Sequence, residues 1–399
     1  MSRAMDEAMR LQELGLCTVP ETNVCRNHIN EPAIKNFIRR TSTSGYCDYC
    51  EKSTSVVSLE DLMEFIMEAV LRSYTDPANF MRYETSEGGY LGNVYNAEEI
   101  LQEHFDLDIE DLKLSNDVFQ SLDLTKPWSD EMQFYDSPSD ILLYNWKYFK
   151  EIVKHRSRYF FGLVKDLNSD NYPIQSDEML AEIGSSIKKF KLIKKLNVGT
   201  KFYRCRQHSR GDSSVSNPKG MTSPPQQFAI QPNRMSPSGI SMFYGAFDIE
   251  TALRETLDVG NKEIQYFTTV AFSTIRELNV VDLSMMPLPP SPFDAKKHQD
   301  RFRLIFIKNF IKDLTAPINR DGRIHIDYVP TQIITEYLRF PFSDKLSKHN
   351  RIDGIIYPSS RNGKKACVLF FDNEESLKVL NMDNGSLNTT KINKKKHKY

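Results

Sequence analysis

Residues 234–255 read Arg234-Met-Ser-Pro-Ser-Gly-Ile-Ser-Met-Phe-Tyr-Gly-Ala-Phe-Asp-Ile-Glu-Thr-Ala-Leu-Arg-Glu255. A Pro/Ser/Gly-rich loop gives way to the apolar run Ile240–Tyr244, and Asp248 then stands where a helix can begin. An Asp carboxylate accepts hydrogen bonds from first-turn amides, so it suits the N-cap of a helix over Ile249–Leu257. Glu255 then falls on the second turn. The same texture fills the chain after Val198. Lys201-Phe-Tyr-Arg204, Tyr266–Phe272, Val280-Val281, Gly354–Tyr357 and Ala366–Phe371 are β-rich runs, separated by loops such as Ser216–Pro225 and Pro287–Pro292. This predicts an α+β domain with non-local strand pairing over 197–382, followed by a disordered basic tail over 383–399.

Upstream the pattern is helical. Residues 1–16 suit a short helix. Ser58-Leu-Glu-Asp61 resembles a capping box, and Leu59, Leu62, Met63, Ile66 and Val70 follow at helical spacing. A second helix is predicted over Ile141–Val153, running on to Tyr159–Phe161, and a third from Glu178 to Leu196. The expected organisation is therefore a Cys/His segment over 1–55, a helical domain over 56–196 and the β-rich domain after it.

The chain has 399 residues, 40% hydrophobic and 26% charged, which suits a soluble globular protein of two or three domains. No apolar run approaches the roughly 20 residues of a membrane span. The charged N-terminus lacks the apolar core of a signal peptide, so a cytoplasmic location is expected. Net charge is −1, which gives nucleic acid no global attraction. Acidic residues dominate from Asn96 to Asp140, whereas Lys188 to Arg206 is basic without an acid. The plain reading of such runs is a solvated face, and a phosphate-rich ligand is the sharper one.

Four of the six cysteines lie in the first 50 residues. Cys25-Arg-Asn-His28 and Cys47-Asp-Tyr-Cys50 are two knuckles of paired ligands, each able to turn two lone pairs toward one ion. Together they complete a closed tetrahedral set, which leaves no open position for catalysis and reads as a structural zinc site. The alternative is four reduced side chains without metal.

Three stretches resemble the RES domain family, named for an Arg, a Glu and a Ser. They are Phe202-Tyr-Arg-Cys-Arg206; Pro224-Pro225 with 234–255; and Asp353-Gly-Ile-Ile-Tyr-Pro-Ser-Ser-Arg361 with Ala366–Phe371. The N-terminal half resembles the HEPN/RES-type domain that precedes RES. The resemblance implies an ADP-ribosyltransferase-like β-core with flanking helices. It further implies an enzyme that consumes NAD at the nicotinamide–ribose bond by hydrolysis or phosphorolysis, acts as a toxin, and answers to an antitoxin or inhibitor protein.

Carried over residue by residue, it makes Arg204, Tyr244, Glu255 and Ser359 the catalytic candidates, with Arg204, Arg206, Arg234, Tyr244 and Ser360 as substrate-binding candidates. Glu255 would steady an oxocarbenium-like ribose, and Arg204 would grip pyrophosphate with its planar fork. Each has a plainer reading: Arg204 a surface arginine on an edge strand, Tyr244 core packing, Glu255 a lysine partner, Ser359 a turn closure. Ser360 competes with Ser359, Arg206 with Arg204, and Glu336 is the next carboxylate. Arg320-Asp-Gly-Arg-Ile-His325 has the R-x4-H spacing of a ribonuclease motif, but its Asp-Gly turn running into a β-like segment argues against the helix that motif needs. A protein mono-ADP-ribosyltransferase and a non-catalytic zinc-bearing binding module are the rival readings.

Overall fold

The computed structural model describes residues 3–86, 88–130, 132, 136–164, 175–209, 211–257, 265–317, 322–347 and 350–393. The chain packs as two units, Met1–Asp140 with Leu288–Ile305, and Ile141–Pro287 with Phe306–Tyr399. Residues 141–196, expected within the helical segment, therefore belong with the β-rich part.

In the first unit, a small antiparallel sheet has Lys52–Ser58 between Asn23–Cys25 and Thr43–Cys47. Ser58 caps the helix Leu59–Leu71 by accepting from the Asp61 amide at 3.1 Å, as its sequence suggested. That helix buries Leu59, Leu62, Met63, Ile66 and Val70 against Ile34, Ile38, Ile100, Leu114 and Trp128.

The second unit is built on an eight-stranded sheet. Its order is Leu380–Lys391, Tyr266–Thr274, Lys201–His208, Phe243–Ala246, Lys365–Leu369, Gly354–Pro358, Leu278–Asp282 and Ile193–Leu196. All neighbours run antiparallel except Leu278–Asp282 with Gly354–Pro358. Trp146 and Phe149 of the helix Pro138–Glu151 pack with Phe306 and Phe310. Asp313 of the helix His298–Leu314, which carries Phe306 and Phe310, adds a polar tie, accepting from Trp146 Nε1 at 2.7 Å and Lys150 Nζ at 2.8 Å.

Four expectations change. The third helix spans Ser176–Lys189 and stops short of Leu196. Lys191 adopts a left-handed φ of 53°, which ends the helical run, and Ile193–Leu196 becomes an edge strand. Its Lys194 and Lys195 are exposed, and charge on an edge discourages pairing with other chains. The second helix closes through a wide turn at Ile152–Arg156, so Tyr159–Phe161 lies beyond it. Residues 383–391, expected as tail, extend a strand paired along Tyr266–Thr274; 394–399 lie outside the described residues. The segment after Asp321-Gly322 is not β-like: Ile324–Asp327 and Val329–Tyr337 are helical, and Arg320 lies outside the described residues.

Candidate active site and metal-binding cluster

The small sheet of the first unit gathers the four expected metal ligands. Cys25 ends one strand, His28 ends the 3-10 turn that follows it, Cys47 ends the opposite strand, and Cys50 sits in the hairpin turn. Their ligand atoms all lie within 4.8 Å of one another. Cys25 and Cys50 sulfurs are 3.8 Å apart, and the Cys47 sulfur is 3.4 Å from His28 Nε2. Two thiolates about 2.3 Å from one tetrahedral ion would stand about 3.8 Å apart. His28 Nδ1 meets Asp111 Oδ2 at 3.0 Å, which fixes the ring and directs Nε2 inward. Asp111 is itself held, since Oδ1 accepts from the Lys113 and Leu114 amides. Burial pushes the Cys25 thiol up to about 11. At Cys47 burial is outweighed by amides of Cys50, Tyr49 and Cys25, and its pKa falls to about 7. The set fits one soft divalent cation.

The second unit contains a cavity of about 650 Å³. This suits a ligand the size of a dinucleotide, since small-molecule sites span roughly 300–1,000 Å³. Lys201–His208 and Phe243–Ala246 contribute Arg204, Arg206 and Tyr244; the helix Ile249–Thr256 contributes Glu255; the loops contribute Arg234, Ser360 and Arg361. Among the described residues the lining carries four arginines and one carboxylate.

Arg204 and Arg206, two apart on a strand, share a face. Arg204 is half-buried, with its guanidinium 5.0 Å from the Phe243 ring centre. Nη1 donates to the Tyr244 carbonyl at 2.5 Å, while Nε has no partner. Burial, with Arg206 adding like charge, lowers its pKa to about 10, so it stays cationic at neutral pH. Arg206 donates to the Gly220 carbonyl. Arg234 lies 5.8 Å from the Tyr328 ring centre and donates to the Leu314 carbonyl at 2.9 Å.

Glu255 stands where its N-cap argument put it. Asp248 accepts from the Thr251 amide at 2.9 Å, and the helix spans Ile249–Thr256. The lysine-paired acid on this helix is Glu250, 2.9 Å from Lys364; Glu255 Oε1 is buried without a partner. Tyr244 Oη bonds Ser236 Oγ at 2.9 Å and accepts from the Met235 amide at 3.3 Å. Burial pushes the Tyr244 and Tyr357 phenols well up, the Glu255 charge adding to the effect at Tyr357. Burial likewise pushes the Cys205 thiol up to about 12.

The doubled serine divides its work. Ser359 is buried and its hydroxyl accepts from the Arg361 amide at 3.1 Å, shaping the hairpin loop. Ser360 and Arg361 line the cavity. Glu336 is half-buried on Val329–Tyr337 and is not among the lining residues; burial raises its pKa. Arg361, Tyr357 and Phe228 are lining residues that sequence reasoning did not single out, although Tyr357 and Arg361 lie inside the third resembling stretch.

A buried carboxylate oxygen without a partner costs stability that a neutral amide would cost less of. Glu255→Gln should therefore melt at the same temperature as the wild type or higher, by differential scanning fluorimetry of the purified protein. A clear loss of melting temperature would make Glu255 a structural residue.

No curated protein and no solved structure matches the chain. Residues 40–166 match the HEPN/RES N-terminal domain 1, and residues 201–388 match the RES domain. The second match spans the strand that carries Arg204, the helix that carries Glu255 and the loop that carries Ser360. The chain thus carries a HEPN/RES N-terminal domain 1 ahead of a RES domain.

Proposed function

We propose that the RES domain is an NAD-cleaving enzyme with an ADP-ribosyltransferase-like core, which breaks the nicotinamide–ribose bond and acts as a toxin by draining NAD. The observation that carries this reading is one pair of buried, unpartnered polar atoms. Arg204 Nε and Glu255 Oε1 belong to residues lining the same arginine-rich cavity. Buried polar groups are nearly always paired, so such orphans in a cavity point to a ligand that completes them.

The chemistry needs little else. The C1′–N bond breaks with its electron pair moving to the ring nitrogen, and nicotinamide leaves neutral from a cationic ring. No general acid is required. Positive charge develops on the ribose, and a carboxylate accepting from a ribose hydroxyl stabilises it. Glu255 is the carboxylate for that role. Arg204 and Arg206 would hold the pyrophosphate, with Arg234 and Arg361 adding field. Tyr244 keeps the loop 234–240 in position, and Ser359 is a positioning residue for the Ser360-Arg361 turn. Water or phosphate then adds at C1′; an oxygen acceptor on a protein would instead make a mono-ADP-ribosyltransferase.

Arg204 and Glu255 should fail differently. Arg204→Ala should raise KM for NAD substantially, because a cation grips pyrophosphate in the ground state and transition state alike. Glu255→Gln should lower kcat by roughly 100-fold with KM little changed, because its effect grows as charge develops. Steady-state nicotinamide release measures both. Near-normal turnover by Glu255→Gln would remove the assignment.

The Cys/His cluster we read as a structural zinc site, because its donor set and spacings suit that ion and His28 has an outer carboxylate. Purified protein should hold about one zinc per chain by elemental analysis. Asp111→Asn should weaken retention about 10- to 100-fold in a chelator competition. Metal-free protein that melts like the untreated form would contradict the site.

A further inference from the structure

The cavity has two chemically different ends. Its inner end is ionic: Arg204 Nε and Glu255 Oε1 are both sealed from solvent. Another of its lining residues, Phe228, is 62% exposed, and Ile230 two residues on is 73% exposed. Among the described lining residues, Phe228 is the exposed large hydrophobic one.

The loop that carries this ring is held by its backbone. Phe228 closes the short turn Gln226–Phe228, its amide donating to the Pro225 carbonyl at 2.8 Å. The Ser241 hydroxyl donates to the Pro224 carbonyl at 2.5 Å, and the Gly239 amide to the Ala229 carbonyl at 2.6 Å. Further along, Gln332 Nε2 donates to the carbonyls of Asn233 and Ser236. The loop is therefore fastened before and after Phe228, and the ring is presented at low entropic cost to whatever covers it.

We propose that Phe228 is a substrate-binding residue, the platform on which the purine base of a nucleoside diphosphate moiety stacks. This rests on the reading of the substrate as NAD. Glu255 takes the ribose that loses nicotinamide, at the enclosed end. The arginines take the pyrophosphate that follows. The remaining ring of the dinucleotide is then the one that reaches the open rim. A phenyl face suits it, because base–aromatic stacking needs only a flat π surface and shape. Phe228 touches no reacting atom; it adds binding at the base end of the dinucleotide.

Calorimetric titration of the full chain with ADP and with inorganic pyrophosphate tests the assignment. Phe228→Ala should weaken ADP binding about tenfold or more while leaving pyrophosphate binding unchanged. Phe228→Trp should keep ADP affinity near that of the wild type. Equal ADP affinity in wild type and Phe228→Ala would overturn the proposal, and so would a parallel loss of pyrophosphate binding, which marks a merely structural residue. Absence of ADP binding by the wild type would overturn it as well and would leave the exposed ring to a protein segment. If Phe228-dependent ADP binding occurs but NAD is not cleaved, the stacking role stands and the cleavage reading falls. If NAD is cleaved but ADP affinity ignores Phe228, only the stacking role falls.

Discussion

A half-buried guanidinium in the middle of a sheet, with its Nε sealed from solvent, is the constraint on which the second unit depends. Removing a cation from water is costly unless its donors are met and its charge is balanced. Arg204 lies on Lys201–His208, which pairs with both Tyr266–Thr274 and Phe243–Ala246, so it has no route to the surface along an edge. Its partial compensation comes from the next strand: the Tyr244 carbonyl takes one donor and the Phe243 ring covers one face. Tyr244 in turn bonds Ser236 and Met235, which fastens the loop 234–240 to the sheet. From one half-buried charge a line of polar contacts therefore shapes the cavity wall.

That compensation is incomplete, and the incompleteness has functional meaning. Nε is left over, Arg206 repels Arg204, and the lining offers four arginines against one carboxylate. A core selected for stability alone would have paired or replaced such groups. An anionic ligand would supply the missing partners and relieve the repulsion, so the strain favours a substrate over an empty cavity. The cluster in the first unit follows a different logic. There Asp111 fixes the His28 ring, and Cys25 and Cys47 pack with Val56.

Much of this was readable in the residues. The Ser58 and Asp248 caps, the strands at 201, 266, 280, 354 and 366, and the paired knuckles follow from short-range rules that tertiary packing did not override. Three features were hidden for identifiable reasons. Leu380–Lys391 is rich in Asn, Asp and Thr, and its strand state comes from pairing with Tyr266–Thr274 rather than from its own alternation. The basic run after Lys188 resembles a helix until Lys191 turns left-handed. Ser359 and Ser360 are indistinguishable by residue type, and only the hydrogen bond from the Arg361 amide separates the turn-former from the cavity residue. Sequence could name Arg204 and Glu255 but not their unpartnered atoms, because pairing depends on which neighbours the fold withholds.

Product analysis of NAD incubated with the purified chain tests the central claim most directly, because that claim names the bond that breaks. Chromatography with mass detection should show nicotinamide released one-for-one with an ADP-ribose or ADP-ribose phosphate product. Recovery of intact NAD, or its cleavage at the pyrophosphate into AMP and nicotinamide mononucleotide, would contradict the account.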